Sequence, residues 1–258
     1  MKFKFLSIFS LAIILFTACD SDSTSDEFMD NNPDAIARLI TSISVVSAQD
    51  PTDNATITIN YDSNNRVTSV SDGEDTGILA YENGELASLT SNMETFNVED
   101  LYESPYDAFE TGEVINYDSN NNPQNIRFFE TEYDWQTNSD VTVEYRAEVM
   151  YDDKPNPYFY TIQAAGGIAI MDEVELNFSA DVNAPEIVQA RMLFPSRNIK
   201  KVTYSDMDGE VLGDVVADFA YNSDNYPTSG TVTETKYDDG VAFEINVFTL
   251  TYTYLPTN

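Results

Sequence analysis

Residues 61–70 read Tyr61-Asp62-Ser63-Asn64-Asn65-Arg66-Val67-Thr68-Ser69-Val70, and this pattern of strand, Asx-rich turn and strand decides the fold. Similar stretches occur at 117–126 and 221–229, at 81–89 with a shorter turn, and at 151–157 as a divergent copy. Asn and Asp tolerate positive φ and hydrogen-bond to their own backbone, so they close hairpins well. The internal repeat therefore predicts a meander of antiparallel hairpins.

Apolar and polar residues alternate along the stretches that flank these turns. Residues 55–61 and 211–221 both follow this period of two, which predicts strands with one buried face. In 243–254 the apolar phase changes at Val247 and Phe248, which predicts a β-bulge that returns both apolar sets to one side. We expect an all-β fold, an antiparallel β-meander of hairpin repeats that forms an extended sheet or open barrel-like structure, with at most one or two short helices.

The N-terminal segment predicts export. Lys2 and Lys4 precede an apolar run over residues 5–16, and Cys19 follows small residues. This run is shorter than the roughly 20 residues of a membrane-spanning helix. Because Cys19 is the single cysteine and lies at this junction, we expect it to carry a lipid anchor, with a stray thiol as the alternative.

The chain then divides into three parts. Residues 1–18 form a lipoprotein signal peptide, 19–35 an acidic flexible linker, and 36–258 a single β domain. The linker interpretation comes from its run of acids and Ser/Thr without apolar periodicity, and no second linker separates the remaining residues into two domains.

Charge and composition exclude several classes of function. The formal net charge of −33 excludes nucleic-acid binding, because phosphates require neutralisation by Lys and Arg. The same charge is repelled by anionic lipid, so the acyl group has to provide the membrane attachment. The chain has no His, which removes Ser-His-Asp and Cys-His nucleophiles, and any catalyst would depend on carboxylates, Tyr, Lys or Ser.

The turn motifs carry a resemblance to a known family. The Tyr-Asp-x-x-Asn turns and the stretches 150–158, 195–204 and 250–254 resemble a family of uncharacterised Bacteroidetes lipoproteins. That family is a domain of unknown function described as porin-like, with hairpins related to YD repeats, and the resemblance covers residues 36–254. It implies an extended antiparallel sheet or open barrel-like structure, and it supplies no activity and no catalytic residues.

Similar lipoproteins also guide the expected location. The acidic stretch 20–27 is similar to the tag that routes such proteins to the cell surface. We therefore expect an outer-membrane lipoprotein, with surface exposure favoured over a periplasmic location. A membrane-spanning barrel is not expected, because it would need an uninterrupted outward apolar band.

Calcium is the one cofactor that the sequence suggests, and only weakly. Oxygen-bearing side chains alternate in two turns, as in calcium loops: Asp118, Asn120 and Asn122 in one, and Asp206, Asp208 and Glu210 in the other. The first has Pro123 where the loop pattern needs Gly, and the second is too short. An ordinary hairpin turn explains the same residues through their backbone alone, so we assign no metal ligands.

Aromatic residues supply the candidate binding site. Tyr133, Trp135, Tyr158 and Tyr160 fall near the least regular region and could form a platform on which a ligand stacks. The alternative is that these rings pack across strands, as most Tyr of the repeats do. We expect a non-catalytic binding module for a protein or glycan partner. A purely structural surface component is the alternative, and a carboxylate-based hydrolase is a distant one.

Overall fold

The Asx turns of the repeat close in one common way. In the computed structural model, which describes residues 23–91, 94–97, 113–177 and 187–256, Asp62 Oδ1 accepts the backbone N–H groups of Asn64 and Arg66, at 2.8 and 3.0 Å. Asn65 adopts a φ of 60° in the left-handed region. The turns 118–122, 206–210 and 222–226 repeat this arrangement. The turn chemistry predicted from 61–70, 117–126 and 221–229 is therefore confirmed.

Replacing Asn225 with Ala is expected to lower the free energy of unfolding by about 1 kcal/mol, because a Cβ-bearing residue other than Asn or Asp is strained at a φ of 65°. Replacing Asn225 with Gly should cost less or stabilise, since Gly adopts this conformation freely. Urea denaturation of both variants measures the difference. Equal losses for Ala and Gly would contradict the conformational explanation.

Fifteen strands and three short α-helices are present in the described residues. The first strands are β1 (Ile40–Ser47), β2 (Ala55–Tyr61), β3 (Val67–Ser71), β4 (Thr76–Glu82), β5 (Glu85–Ser91), β6 (Glu94–Asn97), β7 (Glu113–Tyr117), β8 (Pro123–Asp134) and β9 (Ser139–Pro155). The later ones are β10 (Glu175–Asn177), β11 (Ile187–Gln189), β12 (Arg197–Ser205), β13 (Val211–Tyr221), β14 (Pro227–Asp238) and β15 (Val241–Tyr254). The helices are α1 (Thr24–Asn31), α2 (Phe159–Ala164) and α3 (Gly167–Glu173), with 3₁₀ turns at Pro51–Asp53 and Ala190–Leu193. Measured by length and apolarity, no helix among these described elements qualifies as a membrane span.

Thirteen of these strands form one antiparallel sheet, in the order β6-β5-β4-β3-β2-β1-β15-β14-β13-β12-β9-β8-β7. The two outermost strands, β6 and β7, do not pair with each other within the described residues, so the sheet is open. Strands β10 and β11 form a separate pair. The all-β, antiparallel fold predicted from the sequence is confirmed.

The sheet is strongly curled. Strands β5 and β9 are nine positions apart in the sheet, which would separate them by about 43 Å if it were flat. Yet Gly166, just after α2, lies against Leu86 of β5, and only eleven residues separate Gly166 from the end of β9 at Pro155. A segment of that length with one helical stretch reaches roughly 25 Å. The sheet therefore curves around α2, which packs on its concave face.

The strands have two distinct ends. At the helix end, the turns 62–66, 83–84, 118–122 and 222–226 lie together with the three helices, while the far end carries the turns 72–75, 135–138, 206–210 and 239–240. At the helix end, three Tyr hydroxyl groups donate to the backbone carbonyl of the first residue in a neighbouring strand. The pairs are Tyr81 with Val67, Tyr151 with Pro123 and Tyr254 with Pro227. Burial raises the pKa of all three phenols. These rings therefore serve packing, as the alternative interpretation of the Tyr residues proposed.

The structure differs from the predicted linker over 19–35. Helix α1 forms within it, because Ser23 and Asp26 make a reciprocal capping box and Phe28 is fully buried. The Phe28 ring stacks on Phe159 of α2 with 3.7 Å between ring centroids. An acidic segment is thus ordered by a buried aromatic ring together with hydrogen bonds such as that from Thr24 to Asp172. Helix α1 brings the helices to three, one more than the upper limit that we expected.

The divergent copy at 151–157 is not a hairpin. Strand β9 continues through it to Pro155, and α2 follows in place of a second strand. The Asp152 carboxylate accepts the Tyr221 hydroxyl instead of only closing a turn, and Asn198 Nδ2 donates to the same hydroxyl at 2.8 Å. Asp152 of this stretch therefore binds a side chain of β13, and this contact could not be predicted from the local sequence pattern.

Candidate binding surface

A two-stranded ribbon projects from the far end of the sheet. Within the described residues, β12 pairs with β9 only as far as Arg146, and β7 pairs with β8 only as far as Arg127. The β8–β9 ladder continues beyond both, without a register shift, to the pair Asp134 and Ser139. We call residues 128–145 the ribbon. Its seven pairs extend about 23 Å past β12.

The turn at the ribbon tip is held by Asp134. Its Oδ1 accepts the Gln136 N–H at 2.8 Å and its Oδ2 accepts the Thr137 hydroxyl at 2.9 Å. These bonds lower the pKa of the Asp134 carboxyl, and the hydrogen bond from the Gln136 backbone has the largest effect. Asn138 completes the turn in the left-handed region with a φ of 55°. The tip is thus fixed by its own hydrogen bonds, and the residue after Asp134 is presented in a defined position.

That residue is Trp135, which is 84% exposed. Tyr133 lies beside it with 4.7 Å between ring centroids and an angle of 77° between the rings, and is itself 43% exposed. Exposed Trp and Tyr rings on a fixed backbone are typical of binding surfaces, because they bury a large area and lose little entropy. This pair is the most exposed part of the predicted aromatic site.

The other two predicted site residues lie elsewhere. Tyr158 and Tyr160 follow the opposite end of β9, whose seventeen residues span roughly 55 Å of strand. The Tyr158 hydroxyl lies 3.1 Å from that of Tyr252, and Tyr160 packs edge-on against Phe28. The four aromatic residues are therefore divided between the two ends of β9. Tyr158 is 37% exposed but contacts Tyr252, whereas Tyr133 and Trp135 form an exposed pair on the ribbon.

Further apolar side chains are exposed near the tip between β14 and β15. The predicted bulge at Val247 and Phe248 is wrong, since the register between β14 and β15 is continuous there and shifts only between Lys236 and Tyr237. Ile245 consequently faces away from the concave side, and Phe243 is 63% exposed. The change of apolar phase in the sequence therefore indicates an exposed apolar patch. The predicted bulge would have placed these side chains on the buried face instead.

The two calcium candidates are occupied by protein donors in the structure. The Asp118 oxygens accept the side-chain amide of Asn122 at 3.2 and 3.0 Å. Asn122 is fully buried, and its Oδ1 accepts three donors from 196–197: Ser196 N–H, the Ser196 hydroxyl and Arg197 N–H. In the second turn, Asp206 Oδ1 accepts the Glu210 N–H at 2.8 Å. The ordinary turn interpretation accounts for Asp118, Asn122 and Asp206.

Carboxylates suited to acid–base chemistry do not stand out in the described residues. The carboxyl groups with clearly shifted pKa values have them lowered: Asp50, Asp62, Asp72, Asp134 and Glu244. Backbone N–H donors are the main cause for the four Asp residues, and the Asn246 side chain for Glu244. A general acid needs the opposite shift. No group of three or more His, Cys, Asp or Glu within this part of the chain is placed to hold a metal ion.

A polar cleft at the helix end is used to attach α1. It is lined by Asn31, Asn32, Asp153, Arg197 and Asp224, among others. The Arg197 guanidinium donates to the carbonyl oxygens of Asp153 and Asn31, at 2.7 and 2.6 Å. Arg38 forms an ion pair with Asp224. Arg197 therefore joins α1 to β9 through backbone carbonyl groups, and we assign this cleft a structural role.

Comparisons with known proteins give distant structural likenesses. No protein-family model and no curated protein matches the chain. A porin-like protein from Bacteroides uniformis is 10% identical with a TM-score of 0.39, over 84% of this chain and 98% of that one. A porin-like protein from Bacteroides vulgatus is 11% identical, also with a TM-score of 0.39, over 86% and 100%.

A putative outer membrane lipoprotein-sorting protein domain from Vibrio parahaemolyticus is 7% identical with a TM-score of 0.27, over 90% of each chain. The two Bacteroides proteins carry the same description as the family that the turn motifs resemble. Similarities this distant do not place the chain in a family, so its function has to be inferred from its own residues.

Proposed function

We propose that the chain is a non-catalytic, lipid-anchored binding protein of the outer membrane, which binds a protein partner through the tip of the ribbon. One observation carries this proposal: Trp135 is 84% exposed beside Tyr133, on a turn that Asp134 holds in place. A structural component would have its rings buried or scattered. A hydrolase would need convergent carboxylates in a cleft.

The position of α1 supports presentation of the ribbon away from the membrane. Cys19, the proposed lipid attachment, lies outside the described residues, but it precedes the start of α1 at Thr24 by only five residues. Five residues span at most about 18 Å. Helix α1 is fixed at the helix end by Phe28 and by the Thr24 hydroxyl, which donates to Asp172 at 2.6 Å. The start of α1, to which the proposed anchor would be joined, and the ribbon lie toward opposite ends of the strands.

The shape of the tip favours a protein partner over a glycan. Sugar sites usually combine a stacking ring with polar groups that converge in a concave site. Here the ring pair is on a projecting tip, and Asp134 uses its oxygens within the turn. A projecting aromatic pair instead suits insertion into a pocket on a partner protein.

Replacing Trp135 with Ala is expected to weaken partner binding at least tenfold, because hot-spot Trp residues contribute about 2 kcal/mol or more. The chain and its variant would be crosslinked to outer-membrane proteins of the source cells, with captured proteins quantified by mass spectrometry. A glycan array run in parallel tests the other partner class. The free energy of unfolding should be unchanged, since the ring is 84% exposed and its ring contact in the described residues is with Tyr133.

Phe243→Ala is the matched control, since it truncates another exposed ring, 63% exposed, at the tip between β14 and β15, away from the ribbon. Partners retained by Phe243→Ala and lost by Trp135→Ala would support the proposal. Identical partners for the wild type and Trp135→Ala, or a glycan signal that depends on Trp135, would overturn the proposed protein-binding role.

A further inference from the structure

The edge of β9 along the ribbon has no strand beside it in the described residues. The last residue of β9 that pairs with β12 is Arg146, so Ser139–Glu144 pair only with β8. This edge is six residues long, or about 20 Å. We infer that it accepts an added strand from a basic, extended segment of the partner protein. The inference rests on the proposed function and specifies the class of its partner.

The backbone of this edge is suited to strand addition. A strand that pairs on one side leaves alternate N–H and C=O groups directed outward, and these groups template a further strand. The ladder between β8 and β9 has no register shift along the ribbon, and the sequence 139–144 has no Pro. Bulges and Pro residues are common ways in which proteins block such an edge. The edge at 139–144 lacks both of these features.

The side chains of the edge specify an alternating partner. Val141 and Val143 lie on one face of the ribbon, whereas Asp140 and Glu144 lie on the other, because residues two apart in a strand share a face. Asp140 is exposed, and Glu144 lies 3.8 Å from Arg127. A strand added here would place its aliphatic residues beside the Val pair and its Lys or Arg residues beside Asp140 and Glu144.

Charge favours a basic partner over a second copy of this chain. The sequence of the ribbon has five acids and no Lys or Arg, the acids being Glu130, Glu132, Asp134, Asp140 and Glu144. The adjacent turn 206–210 adds Asp206, Asp208 and Glu210. Two such edges would repel each other, because like charges directly opposite are destabilising in a sheet. A segment that alternates Lys with aliphatic residues would place its Lys residues on the face that carries Asp140 and Glu144.

The probe for this inference is a seven-residue peptide that alternates Lys and Val, titrated into the full chain at physiological ionic strength. Two control peptides separate strand addition from simple attraction to an acidic protein. In one, Glu replaces Lys; in the other, Pro replaces two of the Val residues while every Lys is kept. We expect saturable binding of the first peptide that is at least tenfold tighter than binding of either control. Amide hydrogen exchange should slow at 139–144.

Two protein variants complete the test. The double variant Asp140→Lys and Glu144→Lys should reverse the preference toward the Glu peptide. The matched double variant Glu82→Lys and Glu85→Lys, at the exposed turn between β4 and β5 at the helix end, should keep the preference for Lys. Equal binding of the Lys and Pro peptides, or protection outside 139–144, would overturn the strand-addition inference.

These results are independent of the proposed function. If Trp135→Ala still abolishes capture of native partners while the peptides fail, the proposed function stands and only its partner class is wrong. If the peptides bind at 139–144 while capture does not depend on Trp135, strand addition stands and the role of the ribbon tip is wrong.

Discussion

Replacing Asn122 with Asp is expected to destabilise the fold by about 3–5 kcal/mol at neutral pH, the usual cost of an uncompensated buried charge. Asn122 is fully buried, and its Nδ2 donates to both Asp118 oxygens, at 3.2 and 3.0 Å. A carboxylate at position 122 would place an oxygen where that donor now lies. Two carboxylates would then face each other at hydrogen-bond distance.

The loss should depend on pH, and the direction follows from linkage. Burial and Asp118 disfavour charge on the new carboxyl group, so its pKa in the folded state is raised above the unfolded value of about 3.9. The stability of the variant relative to wild type is therefore greatest below that unfolded value. It falls as the pH rises from the unfolded pKa through the raised folded pKa, because over this range the unfolded state has released a proton that the folded state still binds. The penalty should be small near pH 4 and complete near pH 7.

Urea denaturation between pH 4 and pH 8 measures this effect, with Asn121→Asp as the control. That neighbouring substitution adds the same charge in the same turn, but Asn121 is exposed and Asp also tolerates its φ of 59°. A difference between the two variants that stays constant across this pH range would show that the buried pair with Asp118 is not the cause.

Replacing Phe28 with Ala is expected to cost about 3–5 kcal/mol, the range for removal of a fully buried aromatic ring. Phe28 stacks on Phe159 and meets Tyr160 edge-on, so its loss leaves a cavity between α1 and α2. Chemical denaturation and limited proteolysis within α1 measure the loss and its location. Met29→Ala, on the exposed side of the same helix, is the matched control and should change stability little.

The Phe28 variant also separates the two ends of the molecule. Binding at the ribbon should persist under conditions where the rest of the sheet remains folded, because Trp135 lies at the far end of the strands. A Met29→Ala loss equal to that of Phe28→Ala would contradict the role of the stacked ring in holding α1.

The hairpins were predictable because the residues that close each turn are adjacent in the sequence. Each turn is specified by four or five consecutive residues, and Asp62, Asp118 and Asn222 bind the backbone within their own turn. The exposed Trp135 was predictable as a candidate for a similar reason, since it lies in a turn between two long strands. Helix α1 also has a local marker in the capping pair Ser23 and Asp26, although the acidic composition obscured it.

The remaining features depend on distant parts of the chain. The role of Asn122 requires Ser196, which is 74 residues away, and no local pattern distinguishes this Asn from those in the other turns. In the described part of the chain, β8 and β9 extend beyond their neighbours β7 and β12 to form the ribbon, and strand length relative to a neighbour is a property of the sheet. The separation of Tyr158 and Tyr160 from Trp135 likewise follows from the length of β9.

The pairing of β1 with β15 has a consequence for how the protein is made. Ile40 lies opposite Tyr254, so the first and last strands are neighbours in the interior of the sheet. During synthesis, which proceeds from the N-terminus, the ladder between β1 and β15 can close only after β15 has been made. Contacts this distant in sequence are slow to form. Strand β15 therefore completes the sheet, and a chain without it would lack the joint between the two halves.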